Sequence, residues 1–175
     1  MAQIQPIAAI VAKLEGGWQI NSNDSGNYNS QHVLVGSKYG VTPIVYEQFF
    51  GKVPTAQDMQ NLSLEQFEIV FKKYYLAWQG DLINNQSICN FLCDWFYNSG
   101  YYAITCPQNI LGVPPDGIVG NGTITALNNA NQEEFFNKIK AARYSFIDSI
   151  IAHNPSQEVF KNGWYSRINS FNFQA

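Results

Sequence analysis

The stretch Glu15-Gly16-Gly17-Trp18 organises this chain, and an apolar helix leads into it. Before it, five apolar residues share one face at helical spacing: Ile4, Ile7, Ala8, Val11 and Leu14. Glu15 continues this face, where its carboxyl group loses water, so we expect the neutral form to be favoured and the pKa to rise. Such a carboxyl group suits a general acid. Gly16 and Gly17 can adopt the left-handed conformation that ends a helix, so the helix is predicted to stop just after the acid.

A second carboxyl group, Asp24, follows in a polar run rich in turn-forming residues, from Asn21 to Gly26. In this wet setting the carboxylate is expected to stay ionised. Two carboxyl groups whose surroundings push their pKa values apart are the working pair of a glycosidase. The alternative is purely structural: Glu15 as a solvated helix end and Asp24 as a turn former. Thr42, directly before Pro43, likewise fits a helix N-cap followed by proline.

Together these residues resemble the beginning of glycoside hydrolase family 108, which comprises bacterial and phage N-acetylmuramidases with a lysozyme-like fold. The chain departs from the family pattern at Asn27, which replaces the second glycine of a pair, and by the extra residues 28–39. The resemblance implies that Glu15 is the general acid and that Asp24 activates water or stabilises the transition state. It also implies that Thr42 holds the water. The motif residues that carry it are Glu15-Gly16-Gly17-Trp18, Asn21, Asp24, Gly26 and Gly40-Val41-Thr42.

Composition excludes several classes of partner. The chain is 46% apolar and 15% aromatic, enough for one sizeable core or for a core with a small appended module. Only 13% is charged, against about 25% in typical domains, and the net charge is −3. Nothing therefore indicates nucleic acid or anionic lipid. Peptidoglycan is itself anionic, so affinity for it would depend on hydrogen bonding and ring stacking.

The odd set Cys89, Cys93 and Cys106 indicates three buried thiols in a protein that folds in a reducing compartment. His32 and His153 are isolated and no Cys-x-x-Cys occurs, so no metal site is expected. No cofactor is expected either.

No apolar run approaches the roughly 18–20 residues that span a membrane, so no membrane insertion is expected. The first residues read as an amphipathic helix rather than a signal peptide. We expect a monomer, made in the cytoplasm, that reaches the cell wall through a phage holin or a dedicated secretion route.

Helical spacing and capping signals predict most of the remaining chain as α-helix. Helix starts are marked by Thr42-Pro43, Thr55 with Asp58, Ser63 with Gln66, and Asn154-Pro155. A short helix is predicted over Pro107 to Leu111 and a long one over Gln132 to Ile151. Two inward-facing sets are expected: Leu64, Phe67, Phe71, Tyr74, Tyr75 and Trp78 on one helix, and Phe160, Trp164 and Ile168 on the last.

The most apolar segment, Ile88 to Tyr97, is predicted to be the central buried helix. Asn90, Asp94 and Asn98 form a polar stripe along it, and buried polar groups need partners. The favoured interpretation is structural, with Arg143 and Arg167 pairing with Asp94. Alternatively the stripe borders the substrate cleft, and the arginines contact the lactyl or peptide carboxylate of the substrate.

Two later motifs extend the resemblance. Asp116-Gly117-Ile118-Val119-Gly120 followed by Thr123 is similar to a motif of peptidoglycan-binding modules and is expected to hold a loop against the next helix. Gly163-Trp164-Tyr165-Ser166-Arg167 resembles the family's terminal Gly-Trp-x-x-Arg.

The sequence thus predicts a mainly α, lysozyme-like helical fold with a small β-hairpin or irregular region near residues 18–42. Residues 1–84 are expected to form the catalytic part and residues 85–175 a peptidoglycan-binding part packed on it as a single body. The implied reaction is hydrolysis of the β-1,4 bond between N-acetylmuramic acid and N-acetylglucosamine. The rival hypotheses are a lytic transglycosylase and a non-catalytic wall-binding or secretion-accessory protein. The residues expected to contact the sugars are Trp18, Tyr28, Asn98 and Tyr101.

Overall fold

The computed structural model describes all 175 residues and contains nine α-helices with three short 3₁₀ segments. None of the helices combines the length and the apolar character that crossing a membrane requires. The 3₁₀ segments are Ser25–Asn27, Gly80–Leu82 and Pro155–Phe160. The helices are α1 (Ile4–Glu15), α2 (Pro43–Phe50), α3 (Ala56–Gln60), α4 (Leu64–Ala77), α5 (Gln86–Ser99), α6 (Tyr102–Leu111), α7 (Asn121–Asn129), α8 (Gln132–His153) and α9 (Lys161–Asn169).

The mainly α fold is confirmed, and the region near residues 18–42 is irregular rather than a regular hairpin. It contains three isolated antiparallel β-bridges, Gln19 with Ser37, Tyr28 with Leu34, and Lys38 with Val41.

The chain divides into two compact units, and each has its own buried residues. The N-terminal unit is Ile4–Lys73, and the C-terminal unit is Tyr74–Ala175 together with Met1–Gln3. The division falls inside α4. The functional boundary expected after residue 84 stays a prediction.

In the N-terminal unit, the predicted apolar face of α1 is confirmed, because Ile7, Ala8 and Val11 are buried. Phe67 and Phe71 of α4 are fully buried and their rings lie 5.6 Å apart. These two helices therefore carry much of the apolar interior of this unit.

The C-terminal unit is built around α5, as predicted. Helices α6 and α8 pack against α5, and α9 packs against α8. Phe91 of α5 makes edge-on ring contacts with Phe136 of α8 at 5.5 Å and with Phe171 at 5.6 Å. Such aromatic contacts add specific geometry to a large buried apolar area.

All the capping signals noted in the sequence are confirmed. Thr42 caps α2 with Pro43 in its first turn, and Asn154 caps the segment that begins at Pro155. Capping boxes occur at Thr55 with Asp58 and at Ser63 with Gln66, where side chain and backbone bond reciprocally. These bonds join residues only three apart, so they follow from local sequence.

Four local expectations were wrong. Leu64 is exposed because it is the first residue of α4, on the solvent side of the first turn. Phe160 is 53% exposed because α9 begins only at the following residue, so Phe160 lies outside the helical register of Ile168. Helix α6 begins at Tyr102 and not near Pro107, and Cys106 is only partly buried.

Candidate active site

Glu15 is the last residue of α1, and its exposure is intermediate. Gly16 follows with φ +85°, the left-handed conformation expected for a residue that ends a helix. A side chain at Gly16 would be strained by this φ even though open space surrounds it. The buried face of α1 and this abrupt stop together place Glu15 at the end of the helix.

Asp24 is exposed and caps the 3₁₀ segment Ser25–Asn27. Its Oδ1 accepts a hydrogen bond from the Gly26 backbone N–H at 2.9 Å, and its Oδ2 accepts one from Asn27 Nδ2 at 2.7 Å. Two donors therefore orient the carboxylate. A carboxylate has about four acceptor sites, so each oxygen can still accept from water or substrate.

Thr42, the third candidate residue, is the N-cap of α2. Its hydroxyl oxygen accepts from the Val45 N–H at 3.4 Å, and its hydroxyl hydrogen has no acceptor in the protein. A methyl group placed on Gly26 would lie 3.1 Å from Asp24 Oδ1 and 3.6 Å from Thr42 Cγ2. Asp24 and the methyl group of Thr42 therefore both lie next to Gly26, where the absence of a side chain keeps the space open.

Asn27 is the site residue that sequence reasoning did not single out for a role. It is fully buried, its Nδ2 donates to Asp24, and its Oδ1 accepts from the Asn21 N–H at 3.2 Å. Its backbone oxygen accepts from the N–H groups of Val35 and Gly36. The sequence feature that could have drawn attention to Asn27 is that it replaces the second glycine of a pair in the family pattern.

Trp18 and Tyr28, expected to contact sugar rings, are both partly buried and hydrogen-bonded inside the loop region. Trp18 Nε1 donates to the Val35 carbonyl at 3.2 Å, and its ring lies so close to Gly36 that a side chain there would collide with it. The Tyr28 hydroxyl donates to the Ser22 carbonyl at 3.0 Å. Each therefore has a structural role, and their contacts with substrate stay a prediction.

The extra residues 28–39 form a loop that is bonded to other parts of the N-terminal unit. Buried Asn29 donates through Nδ2 to the Pro54 carbonyl at 3.0 Å. The Ser30 N–H donates to Glu47 Oε1 at 2.9 Å, and Lys38 Nζ donates to the Gln60 carbonyl at 2.8 Å. The insertion is thus held near both of its ends.

Asn98 and Tyr101 belong to the C-terminal unit, whereas the catalytic candidates belong to the N-terminal unit. Asn98 lies at the exposed end of α5 and donates through Nδ2 to the Asp94 carbonyl at 3.3 Å. Tyr101 is 60% exposed, and its hydroxyl donates to the Asp116 carbonyl with its ring against Gly117.

Asp94 forms a buried ion-pair cluster with Arg143 and Arg167, as the sequence predicts. Arg143 Nη1 donates to Asp94 Oδ2 at 2.8 Å, and Arg167 donates through Nε and through Nη2, the latter at 2.6 Å to Oδ1. Asp94 is fully buried, so these charge-assisted bonds replace the water that it lost. The structural interpretation is confirmed for both arginines.

The Asp116-Gly117 turn is held against α7, as expected, and Gln108 of α6 makes the connection. Buried Gln108 donates through Nε2 to Asp116 Oδ1 at 2.9 Å and to Thr123 Oγ1 at 3.3 Å, and its Oε1 accepts from the Gly117 N–H at 2.9 Å. The hydrogen bond from the Ile118 N–H, together with the bond from Gln108 Nε2, keeps the pKa of Asp116 below its usual value. Gln108 had no sequence signal beyond its place in a helix.

Comparisons with known proteins extend over nearly the whole chain. Residues 8–100 match the family model described as Glycosyl hydrolase 108, and residues 102–169 match the model described as Predicted Peptidoglycan domain. The solved "Structure of Brucella abortus SagA" superposes with a TM-score of 0.72, covering 96% of this chain and 90% of that chain at 19% identity. At that identity the likeness shows a shared fold alone. No curated protein sequence gives a significant match.

Proposed function

Because the chain belongs to glycosyl hydrolase family 108 and is a glycoside hydrolase that acts on peptidoglycan, we propose that it is an N-acetylmuramidase. The bond cleaved is the β-1,4 bond between N-acetylmuramic acid and N-acetylglucosamine. The observation that carries the proposal is the pairing of Asp24 and Thr42 around Gly26, in the same unit as the helix that ends at Glu15.

In the proposed reaction, Glu15 is the general acid. It donates its proton to the glycosidic oxygen as the bond from that oxygen to the anomeric carbon of the muramic acid breaks, a step worth about 10²–10⁴-fold in rate. The positive charge that develops on the sugar resembles an oxocarbenium ion. A carboxylate at Asp24 stabilises that charge, or accepts a proton from the water that attacks the anomeric carbon.

The hydrogen bonds of Asp24 and Thr42 support these roles. Asp24 is oriented by Gly26 and Asn27 while both of its oxygens keep acceptor capacity. The unused hydroxyl hydrogen of Thr42 can donate to the water. One residue of this pair accepts and the other donates, which is what holding a water in one orientation requires.

The test is a peptidoglycan digest with the wild type and with Glu15→Gln, the products identified by mass spectrometry. We expect reducing muramic acid ends from the wild type and a loss of at least about 100-fold in the variant. Glu65→Gln, an exposed glutamate of the same unit, serves as the matched control and should retain activity. Products with anhydro-muramic ends would contradict the proposal and indicate a lytic transglycosylase. Intact wall with wild-type protein bound would leave only a binding function.

A further inference from the structure

A pocket of about 160 Å³ opens within the C-terminal unit, between α5, α8 and α9. Its polar wall comes from the end of α5 and from two arginines, and its apolar wall from α8 and α9. The residues that define it are Asn98, Ser99, Arg143, Phe146, Trp164 and Arg167. All of them lie in the part of the chain that matches the two family models.

Arg143 brings unused hydrogen-bond donors to this pocket. Its side chain is 4% exposed, and its Nη1 pairs with Asp94. Its Nε and Nη2 groups lie on the same edge of the guanidinium plane, and neither has an acceptor in the protein. Arg143 lines the open pocket, so these two groups can donate to a ligand that supplies two acceptor oxygens.

The surroundings hold the guanidinium in place. Its central carbon lies 5.2 Å from the ring centre of Phe91 and 6.0 Å from that of Trp95. Together with the bond to Asp94, these contacts fix the plane of the group before any ligand arrives. A fixed arginine fork matches the two oxygens of a carboxylate.

The other residues that line the pocket limit which substituent can lie next to the carboxylate. The Ser99 hydroxyl has no hydrogen-bond partner in the protein and adds one more donor at the edge of the pocket. The lining next to Arg143 is apolar, with Phe146 and Ile147 one turn further along α8. The volume suits a small group, so the pocket selects a carboxylate next to a methyl or a similarly small apolar substituent.

We propose that this pocket binds a carboxylate that bears a methyl group, through the Nε and Nη2 donors of Arg143. The inference rests on the proposed function, since peptidoglycan supplies this group in two places. One is the lactyl group of muramic acid, and the other is the terminal D-alanine of a stem peptide.

Titrations of the 175-residue chain with two small probes distinguish these sources. The probes are N-acetylmuramic acid and acetyl-L-lysyl-D-alanyl-D-alanine, each compared with its carboxamide. We expect one acid to bind and its amide to bind at least tenfold more weakly, with amide NMR shifts at Ser99 and the Trp164 indole. Neither probe contains a glycosidic bond that the enzyme could cleave, so this result is independent of the Glu15→Gln digest.

Substitutions in and outside the pocket test whether the acid binds there. Arg143→Lys keeps a cation beside Asp94 but removes the fork, and Ser99→Ala removes one donor with little risk to folding; both should weaken binding of the acid. Lys138→Met, on the exposed face of α8, should leave it unchanged. The proposal is overturned if neither acid binds at millimolar concentration, if acid and amide bind equally, or if the shifts lie away from the pocket.

Discussion

Asn27 connects three parts of the loop that carries Asp24. One side-chain atom bonds the Asp24 carboxylate, another bonds the Asn21 backbone, and its own backbone oxygen accepts from the Val35 and Gly36 N–H groups. A glycine at this position could make only the backbone bonds. The amide of Asn27 therefore adds an orienting contact to the candidate catalytic carboxylate.

Asn27→Ala should lower both activity and stability. It removes the bond to Asp24 and leaves the Asn21 N–H without its acceptor, which costs about 1–3 kcal/mol of unfolding free energy. Misplacement of Asp24 should reduce kcat by roughly 10- to 100-fold. Denaturant unfolding and a wall-digestion assay measure the two effects. Asn23→Ala, at an exposed position of the same loop, is the control, and equal behaviour of the two variants would contradict the role of Asn27.

Asp94 pairs with both Arg143 and Arg167 in the interior of the C-terminal unit. Removing one partner of a buried ion pair leaves an uncompensated charge, so Asp94→Asn should reduce the free energy of unfolding by about 3–5 kcal/mol. The matched control is Asp148→Asn, since Asp148 pairs with Lys161 at the surface and its loss should have a much smaller effect. Denaturant melts of the two variants give the comparison, and similar midpoints would rule out a structural role for the buried cluster.

At the scale of elements, the helix starts depend on short-range hydrogen bonds. The start of α3 is an example in which Asp58 Oδ2 accepts from the Thr55 N–H at 2.8 Å and from its hydroxyl at 2.7 Å. Lys52 adds an ion pair with Oδ1 at 2.7 Å. The Lys52 bond is the largest of the causes that lower the pKa of Asp58 to about 2.

This depressed pKa predicts a pH dependence of stability. The pKa of Asp58 is lower in the folded state than its ordinary value of 3.8, so its contribution is present above that value and is lost as the pH falls towards 2. Asp58→Asn should therefore melt at a lower temperature than the wild type near neutral pH, and the difference should shrink as the pH falls from about 4 to about 2. Thermal melts across this range provide the measurement. A difference that stays constant down to pH 2 would show that the charge of Asp58 is not what stabilises the cap.

For the molecule as a whole, the balance of charge predicts how it recognises the wall. The chain carries a net charge of −3 and peptidoglycan is anionic, so attraction between net charges cannot drive binding. Hydrogen bonds and apolar contacts in shaped sites are much less sensitive to salt than long-range charge attraction.

Binding of the Glu15→Gln variant to purified walls should therefore not weaken between low ionic strength and about 0.5 M salt, because salt screens repulsion here. Pelleting assays of the bound fraction measure this. A basic lysozyme should lose affinity over the same range and provides the comparison. A steep loss for this chain would show that a local basic surface dominates binding.

The sequence alone determined most of the local structure and the candidate site residues. Helix faces, caps and the stop after Glu15 depend on residues within one turn of each other, so periodicity and short-range bonds reveal them. The pairing of Asp94 with arginines was also predictable, since a buried carboxylate in a chain with few charges needs a cationic partner. The Leu64 and Phe160 errors arose at helix starts, since Leu64 is the first residue of α4 and Phe160 directly precedes α9, and both are exposed there.

Only the tertiary structure decided which distant residues meet. The roles of Asn27 and Gln108, the meeting of Asp24 with Thr42 at Gly26, and the unused donors of Arg143 in a pocket all depend on contacts between separate elements. Asparagine and glutamine have no pattern in sequence that distinguishes a buried, fully bonded amide from a solvated one. Their function follows from the geometry of the groups around them, because a hydrogen bond needs its donor and acceptor within about 3 Å and in line.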